Sequence, residues 1–496
     1  MKTAFRVCLV VLVTVLAASR VAAEDGDASK VQAAYVLLAP SSTGQTVPLA
    51  RVILDGADSP CPSLQSIQGK VVALAMSPRN NPDEQHFPVT VCEAVSSRGG
   101  PMRISGTGIL LPALPFSVNR VTLFGDTGCK PGFQQGCNED DGKGWPFRAL
   151  ADAAAASDAG PDLILHMGDY NYRGTPGKIH VNGKEERVYD AGDNTPGLDC
   201  KLTGPYVGQN SSGSDTPDTW ESWRKDFFEP ASKLLRAAPW VFARGNHELC
   251  SRAGPGWLYF LDTGSDLPQI GTGQRACPPA ESAEPLVFRP PYRVDLNRLS
   301  ILVLDSANAC DQGDLHQRHF DRQFDEVATL VEQAPRMNAI WLQSHRPLWA
   351  VRAAASNTPA TDRDPSGRFA FIDRTLQSAA ARHRVSELIH LVVSGHMHRF
   401  QAIGFAASGE KRRPAQIVIG NGGVALADNE PENPFSFVID GMKGAGFGLS
   451  DFGYMEIELG NSGTWKSRML GREGAMLAEC ESVMKYKTGV CAPVAK

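Results

Sequence analysis

Leu391-Val392-Val393-Ser394-Gly395-His396-Met397-His398 is an apolar run of strand length that ends in glycine and delivers two imidazoles one residue apart. On a loop leaving a strand, such a pair can point into one cleft, and neutral imidazole is the commonest metal ligand among side chains. Taken alone, His-x-His equally describes a surface turn that carries two histidines. Four earlier stretches repeat the same syntax.

Val121–Phe124 runs into Gly125-Asp126-Thr127-Gly128, and Leu163–Met167 runs into Gly168-Asp169-Tyr170-Asn171-Tyr172. Trp240–Ala243 meets Arg244-Gly245-Asn246-His247-Glu248, and Ala339–Gln343 reaches Ser344-His345-Arg346-Pro347. In open α/β sheets, sites form outside the carboxyl ends of the strands, so five such loops converge on one edge. Glycine, present in four of the five turns, lets the backbone bend sharply and bring the next side chain inward. Each piece also has a plain explanation. Asp126 or Asp169 can cap a helix or support a turn, Asn246 can be a turn residue, His345 a satisfied core histidine, and Tyr172 packing. Those explanations are independent of one another, and five coincidences at five strand ends are hard to credit. Carboxylate, amide oxygen, phenolate and imidazole together suit iron, manganese or zinc.

The set GDTG, GDYNY, RGNHE, LQSH and SGHMH resembles, in order and type, the motifs of calcineurin-like metallophosphoesterases. More narrowly it is similar to the purple acid phosphatase pattern GDxG, GDxxY, GNH(E/D), VxxH and GHxH, over residues Asn119 to Tyr454. Many relatives carry DxH as the first motif; here Gly128 stands at that histidine position and Tyr172 is present to replace it. The fourth motif departs from the pattern in having Leu342 for valine. The resemblance implies a layered α/β fold, a metallophosphoesterase-type β-sandwich flanked by helices. It implies two metal ions. Asp126, Tyr172 and His398 would bind the first, Asp169 would bridge, and Asn246, His345 and His396 would complete the second. Iron is expected in the first position and iron, zinc or manganese in the second. His247 would face the substrate as proton donor, and Arg346 is a candidate phosphate contact, with Arg244 read as structural. The implied activity is hydrolysis of phosphate monoesters by metal-activated hydroxide, in the manner of an acid phosphatase. The same site acting on phosphodiesters or nucleotide anhydrides is the alternative, and a non-catalytic binding protein on this fold is a second one.

Outside the motifs, continuous rather than alternating hydrophobicity marks strands buried on both faces, including Ser300–Leu304 and Gln416–Ile419. Helices are expected over Phe147–Ala156, Ser222–Phe228, Leu315–Ala334 and Arg368–Ala381, with Phe452–Leu459 as a closing antiparallel strand. Gly174–Thr219 and Ser251–Pro290, rich in Gly and Pro, read as long loops over the working face. Residues 24–117 carry short β-like runs punctuated by Pro, Gly, Ser and Asn: a small β-rich N-terminal module with no ligand cluster. It shows no likeness to the fibronectin-type domain of plant purple acid phosphatases. The Pro-interrupted Leu111–Pro115 reads as a linker into a catalytic domain over 118–470, and residues 471–496 as a C-terminal tail. Gly420-Asn421-Gly422-Gly423 either approaches the site by its backbone or is a plain turn.

Residues 1–23 read as a secretory signal. Lys2 and Arg6 open it, Val7 to Ala18 is apolar but short for a membrane span, and Val21-Ala22-Ala23 is a small-residue cleavage site. The expected location is secreted or periplasmic, with no membrane span once the signal is removed. Of 11 cysteines, Cys8 leaves with the signal and an even number remains, as suits an oxidising compartment. Cys61/Cys92, Cys129/Cys137, Cys250/Cys277 and Cys480/Cys491 are candidate pairs, and without a CxxC a thiolate zinc site is not expected. The formal charge of −5 becomes more negative when Lys2, Arg6 and Arg20 are lost. An acidic surface with no basic stripe argues against nucleic acid or an anionic membrane as the main partner; the family resemblance implies a phosphorylated small molecule or phosphoester as the substrate. Asn210-Ser211-Ser212 is a glycosylation sequon.

Overall fold

The computed structural model describes residues 30–67, 73–96, 98–130, 135–137, 144–157, 160–173, 178–181, 184–187, 218–250, 252–268, 270, 276–277, 287–310, 316–383, 385, 387–406, 412–427, 431, 433–482 and 489–493. The signal-like residues 1–23, the sequon at Asn210, Cys200 and most of Gly174–Thr219 lie outside them.

Two large sheets face each other. At the centre of the first, Arg120–Phe124, Leu163–His166 and Trp240–Phe242 run parallel, with Leu163 opposite Val121 and Ile164 opposite Trp240. At the centre of the second, Leu299–Leu304, Ala339–Ser344, Ile389–Ser394 and Ala415–Ile419 are parallel as well. Parallel strands must be covered on both faces, which is why these segments are apolar throughout. Leu123, Leu165 and Val241 of the first sheet pack against Ile301, Trp341, Leu391 and Val393 of the second in one shared core. On the outer face of the first sheet lie helix Phe147–Ala155 and the aromatic pair Phe227 and Phe228. Helices Gln317–Glu332 and Arg374–His383 cover the second through Phe320, Phe324, Leu376 and Ala379. The result is the expected α/β layering around a sandwich. Tyr454–Leu459 closes against Arg120–Phe124 antiparallel, as its alternation suggested.

The N-terminal region is β-rich as expected, and its strands divide between two sheets. Ser63–Ser66, Ala73–Ala75, Met102–Ile104 and Leu110–Leu111 form a small sheet of their own. The longer Val31–Pro40, Thr46–Asp55 and Val89–Val95 continue the first large sheet, joined where Leu37 pairs parallel with Trp240. Residues 471–496, read as a tail, hold the strands Met476–Ser482 and Gly489–Pro493 at the opposite edge. A disulfide between the paired Cys480 and Cys491 ties them.

Two other elements differ from the sequence reading. The helix expected from Arg368 begins at Arg374, because the Asp373 carboxylate accepts from Leu376 N at 2.7 Å and sets the start; Phe369–Phe371 is instead a strand paired with Val351–Ala353. Within the expected loop Ser251–Pro290, Gly254–Phe260 is a buried helix whose early proline, Pro255, suits a first turn. All four candidate cysteine pairs are disulfides, and Cys310 is disulfide-bonded too. Among the described residues, no helix is long and apolar enough to cross a membrane.

Candidate metal centre

The carboxyl ends of both parallel sets meet at one edge, as the strand-end motifs require. The first sheet contributes Asp126, Asp169 and Asn246, and the second contributes His345, His396 and His398. Four of these residues turn with left-handed backbone: Asp126 at φ 54°, Asp169 at 59°, His396 at 75° and His398 at 51°. Each costs about 1–3 kcal/mol in a residue with a Cβ, so the surroundings must hold them. The hydrogen bonds that do so are visible. Asp126 N donates to Gly168 O at 3.0 Å, Val424 N to Asp126 O at 3.0 Å, and Gly422 N to Gly125 O at 3.0 Å. The last two show that the Gly420–Gly423 turn approaches the site through its backbone.

The outer oxygen of each aspartate is also tied. His396 N donates to Asp126 Oδ2 at 2.8 Å and His247 N to Asp169 Oδ1 at 2.9 Å. Asp126 Oδ1 and Asp169 Oδ2 therefore face inward. Around them stand two clusters of electron-pair donors. Tyr172 Oη lies 3.1 Å from Asp126 Oδ1, 3.0 Å from Asp169 Oδ2 and 3.0 Å from His398 Nε2. His345 Nε2 lies 2.9 Å from Asn246 Oδ1 and 3.3 Å from Asp169 Oδ2, and His396 Nδ1 is 3.0 Å from the same Asn246 oxygen. Asp169 belongs to both groups of ligating atoms, one with Asp126 and His398, the other with His345 and His396.

This chemistry fits two cations. A single phenolic proton cannot serve three acceptors, whereas a cation can draw all of them to one point. Asn246 turns its oxygen to two imidazoles while its buried Nδ2 has no hydrogen-bond partner among the described residues, an orientation that favours the oxygen as ligand. His345 Nδ1 lies 2.7 Å from Met167 O; donating there leaves the Nε2 lone pair facing the centre. Burial, opposed by His345 and reinforced by Asp169, pushes the Asp126 carboxyl well above the usual carboxylate range. Burial acts on Asp169 in the same sense, but His345 and His247 outweigh it and hold this group well below that range. Two adjacent buried carboxylates resist ionising together, and cations between them would remove the conflict.

The exchange of histidine for tyrosine has a steric basis. A Cβ at Gly128 would sit 2.6 Å from Tyr170 O and 2.9 Å from Tyr172 Cδ2. Any side chain there would displace the phenol ring from its place beside Asp126. His247 lies over that phenol, with ring centroids 4.0 Å apart, and stays outside both donor clusters. Arg346 reaches the centre at His396. It is fully buried, with Nη1 3.1 Å from His396 Nε2 and 3.6 Å from Asp373 Oδ2. Arg244 is buried and paired with Asp305 at 2.8 Å, a structural role.

Sequence reasoning gave Glu248 no role, although it ends the third motif. Its Oε2 accepts from Gly245 N and Asp169 N, both at 2.9 Å, and its Oε1 from Tyr170 N at 2.8 Å and Asn171 N at 3.3 Å. One fully buried carboxylate thus clamps the two loops that present Asp169 and Asn246. The only signal in the sequence was an acid next to residues that had to be buried. Glu248→Gln keeps the shape but turns an amide N–H₂ toward backbone donors. We expect it to cost about 3 kcal/mol or more of stability and to loosen metal retention, read from the urea midpoint and from dialysis against a chelator. A midpoint equal to that of the unaltered protein would show that the clamp is dispensable.

A sandwich of this kind, with two ligand clusters sharing one carboxylate at the strand ends, is the architecture of a metal-dependent phosphoesterase. The pattern of the calcineurin-like phosphoesterase family matches residues 119–400, more than half of the sequence, and the chain belongs to that family. No curated protein is similar enough in sequence to match. Among solved structures, a purple acid phosphatase isolated from yellow lupin (Lupinus luteus) seeds is 15% identical. It aligns over 90% of this chain and 73% of its own with a TM-score of 0.50, which shows a shared fold. The structure of PhoD is 11% identical over 94% of this chain and 92% of its own, with a TM-score of 0.49.

Proposed function

We propose that the protein is an exported acid phosphatase-like enzyme that hydrolyses phosphate monoesters at a binuclear metal centre. The observation that carries this reading is the position of Asp169 Oδ2, 3.0 Å from Tyr172 Oη on one side and 3.3 Å from His345 Nε2 on the other. A carboxylate so placed would hold both of two cations. Asp126, Tyr172 and His398 would hold the first with it, and Asn246, His345 and His396 the second. Bound there, iron in the first position and iron, zinc or manganese in the second would acidify water and offset charge on the phosphoryl oxygens.

The side chains around the centre do the rest. Backbone N–H groups of His247 and His396 aim the two carboxylates, and Met167 O fixes the orientation of His345. His247, next in sequence to Asn246, holds a proton for the departing ester oxygen. We assign Arg346 to orienting His396, in place of the direct phosphate contact expected from its motif. The signal-like start and the disulfides support export.

Assay of a panel of alkyl and aryl monoesters, phosphodiesters and nucleotides, with metal analysis of the same preparation, tests the reading. Monoesters should be turned over best by protein that holds two metals. Preference for diesters or anhydrides would transfer the site to that alternative, and no turnover by fully metallated protein would make it a binding protein.

Tyr172 carries a separate spectroscopic expectation. A phenolate on ferric iron gives a visible charge-transfer band, so iron-loaded protein should be coloured. Tyr172→Phe should lose the band while keeping its iron. An equally intense band in that variant would show that another residue is the source.

A further inference from the structure

A cavity lined by Phe242, Arg244, Trp257, Asp262, Arg289 and Tyr292, among others, lies beyond the end of strand Trp240–Phe242. One wall comes from a chain segment that also carries a proposed ligand. Strand Trp240–Phe242 continues through Arg244, a wall residue, to Asn246. Strand Leu299–Leu304 continues through Asp305, another wall residue, to Ser306, whose Oγ accepts from Arg346 N at 2.9 Å.

The polar groups of this cavity do not balance. Its acceptors are committed: Asp305 Oδ2 takes Arg244 Nη2 at 2.8 Å and Arg289 N at 2.7 Å, while Asp262 takes Arg289 Nε at 2.9 Å and Gly264 N at 3.1 Å. Three donors remain. Arg289 Nη1, Trp257 Nε1 and Tyr292 Oη are buried and find no hydrogen-bond partner among the described residues. Trp257 is only 4% exposed and Arg289 6%. Burial, reinforced by the nearby Asp262, raises the Tyr292 phenol above its ordinary value and keeps it a donor. Leaving a buried donor unmet costs about 1–3 kcal/mol, so three around one cavity point to an occupant that only accepts.

We propose that this cavity is a second oxyanion subsite, distinct from the metal centre, which takes a small phosphate or carboxylate group on Arg289, Trp257 and Tyr292. The occupant is either free inorganic phosphate or a second acidic group on the leaving portion of a phosphoester. The binding site itself does not depend on which ester the centre hydrolyses.

Equilibrium dialysis of the metallated full chain with labelled inorganic phosphate tests it, using the double variant Trp257→Phe/Tyr292→Phe and the single variant Tyr292→Phe. Tyr292→Phe deletes only a donor, and Trp257→Phe deletes a donor while leaving a smaller aromatic ring in the wall. The double variant should bind one phosphate per chain fewer than the unaltered protein, and the single variant should bind that phosphate about tenfold more weakly. Equal stoichiometry and affinity in all three proteins would overturn the proposal and leave water as the occupant. KM then separates the two sources. If the substrate's own group sits there, Tyr292→Phe raises KM about tenfold for a phosphorylated hydroxy acid and not for a plain alkyl phosphate, with kcat retained. If free phosphate is the occupant, the two KM values keep their ratio while the dialysis difference persists.

Discussion

Asp169→Asn is expected to reduce the protein to fewer than two tightly held metals per chain and to lower kcat/KM by about three orders of magnitude. The size follows from the several kcal/mol of charge stabilisation that a bound cation pair supplies, about 4 kcal/mol being a thousandfold. The direction follows from the hydrogen bonding. His247 N donates to Asp169 Oδ1 at 2.9 Å, so in the variant the amide oxygen must take that place. The amide N–H₂ then occupies the position of Oδ2, between Tyr172 Oη and His345 Nε2. A pair of N–H dipoles now points where two cations need an anion. His345→Ala is the control: it removes a ligand from one cluster only and should empty mainly the second position. Elemental analysis of both variants beside the unaltered protein makes the comparison. Two metals retained in Asp169→Asn, or never more than one in the unaltered protein under any loading, would end the binuclear reading.

His247→Ala is expected to discriminate between leaving groups. The imidazole lies against the Tyr172 ring at 4.0 Å between centroids and stays outside both donor clusters, so metal content should not change. A general acid matters in proportion to the basicity of the oxygen it protonates, and contributes about 10²–10⁴-fold where that oxygen is an alkoxide. Turnover of an alkyl phosphate should fall by that range, while a nitrophenyl phosphate, with its stable leaving group, should scarcely slow. Equal slowing of both esters with metal retained would make His247 a phosphate or water contact. Loss of metal would place it in the coordination set.

The candidate centre was legible in the sequence because each proposed ligand belongs to a local pattern. A strand buried on both faces has to be apolar along its length, and the ligand follows within a few residues of its end. Gly245 permits the approach of Asp169, since a Cβ there would overlap the carboxylate. Gly128 was legible as the partner of Tyr172, and the reason it must be glycine is a 2.6 Å approach to Tyr170 O.

Contacts between distant segments carried no such pattern. Nothing in Val31–Pro40 says that it will pair with Trp240, because a strand's hydrophobicity records that it is covered and not which neighbour supplies its hydrogen bonds. Nor did the N-terminal region announce what it supports. Arg51 Nη1 donates to Phe260 O at 2.6 Å and Arg79 Nη2 to Leu258 O at 2.7 Å, with Glu93 beside both guanidinium groups. Buried charges from the start of the chain thus hold the backbone behind Trp257 and Asp262, some two hundred residues on. Arg346 shows the same limit: its motif suggested a phosphate contact, and only packing shows its Nη1 3.1 Å from His396 Nε2. By itself the sequence determined at which strand ends the candidate ligands stand, since that follows from neighbours along the chain, and the resemblance of its motifs implied which of them would bind metal. Tertiary structure alone decided that Glu248 clamps two loops and that three donors face one cavity. Each of these depends on groups brought together through space by the docking of one sheet on the other.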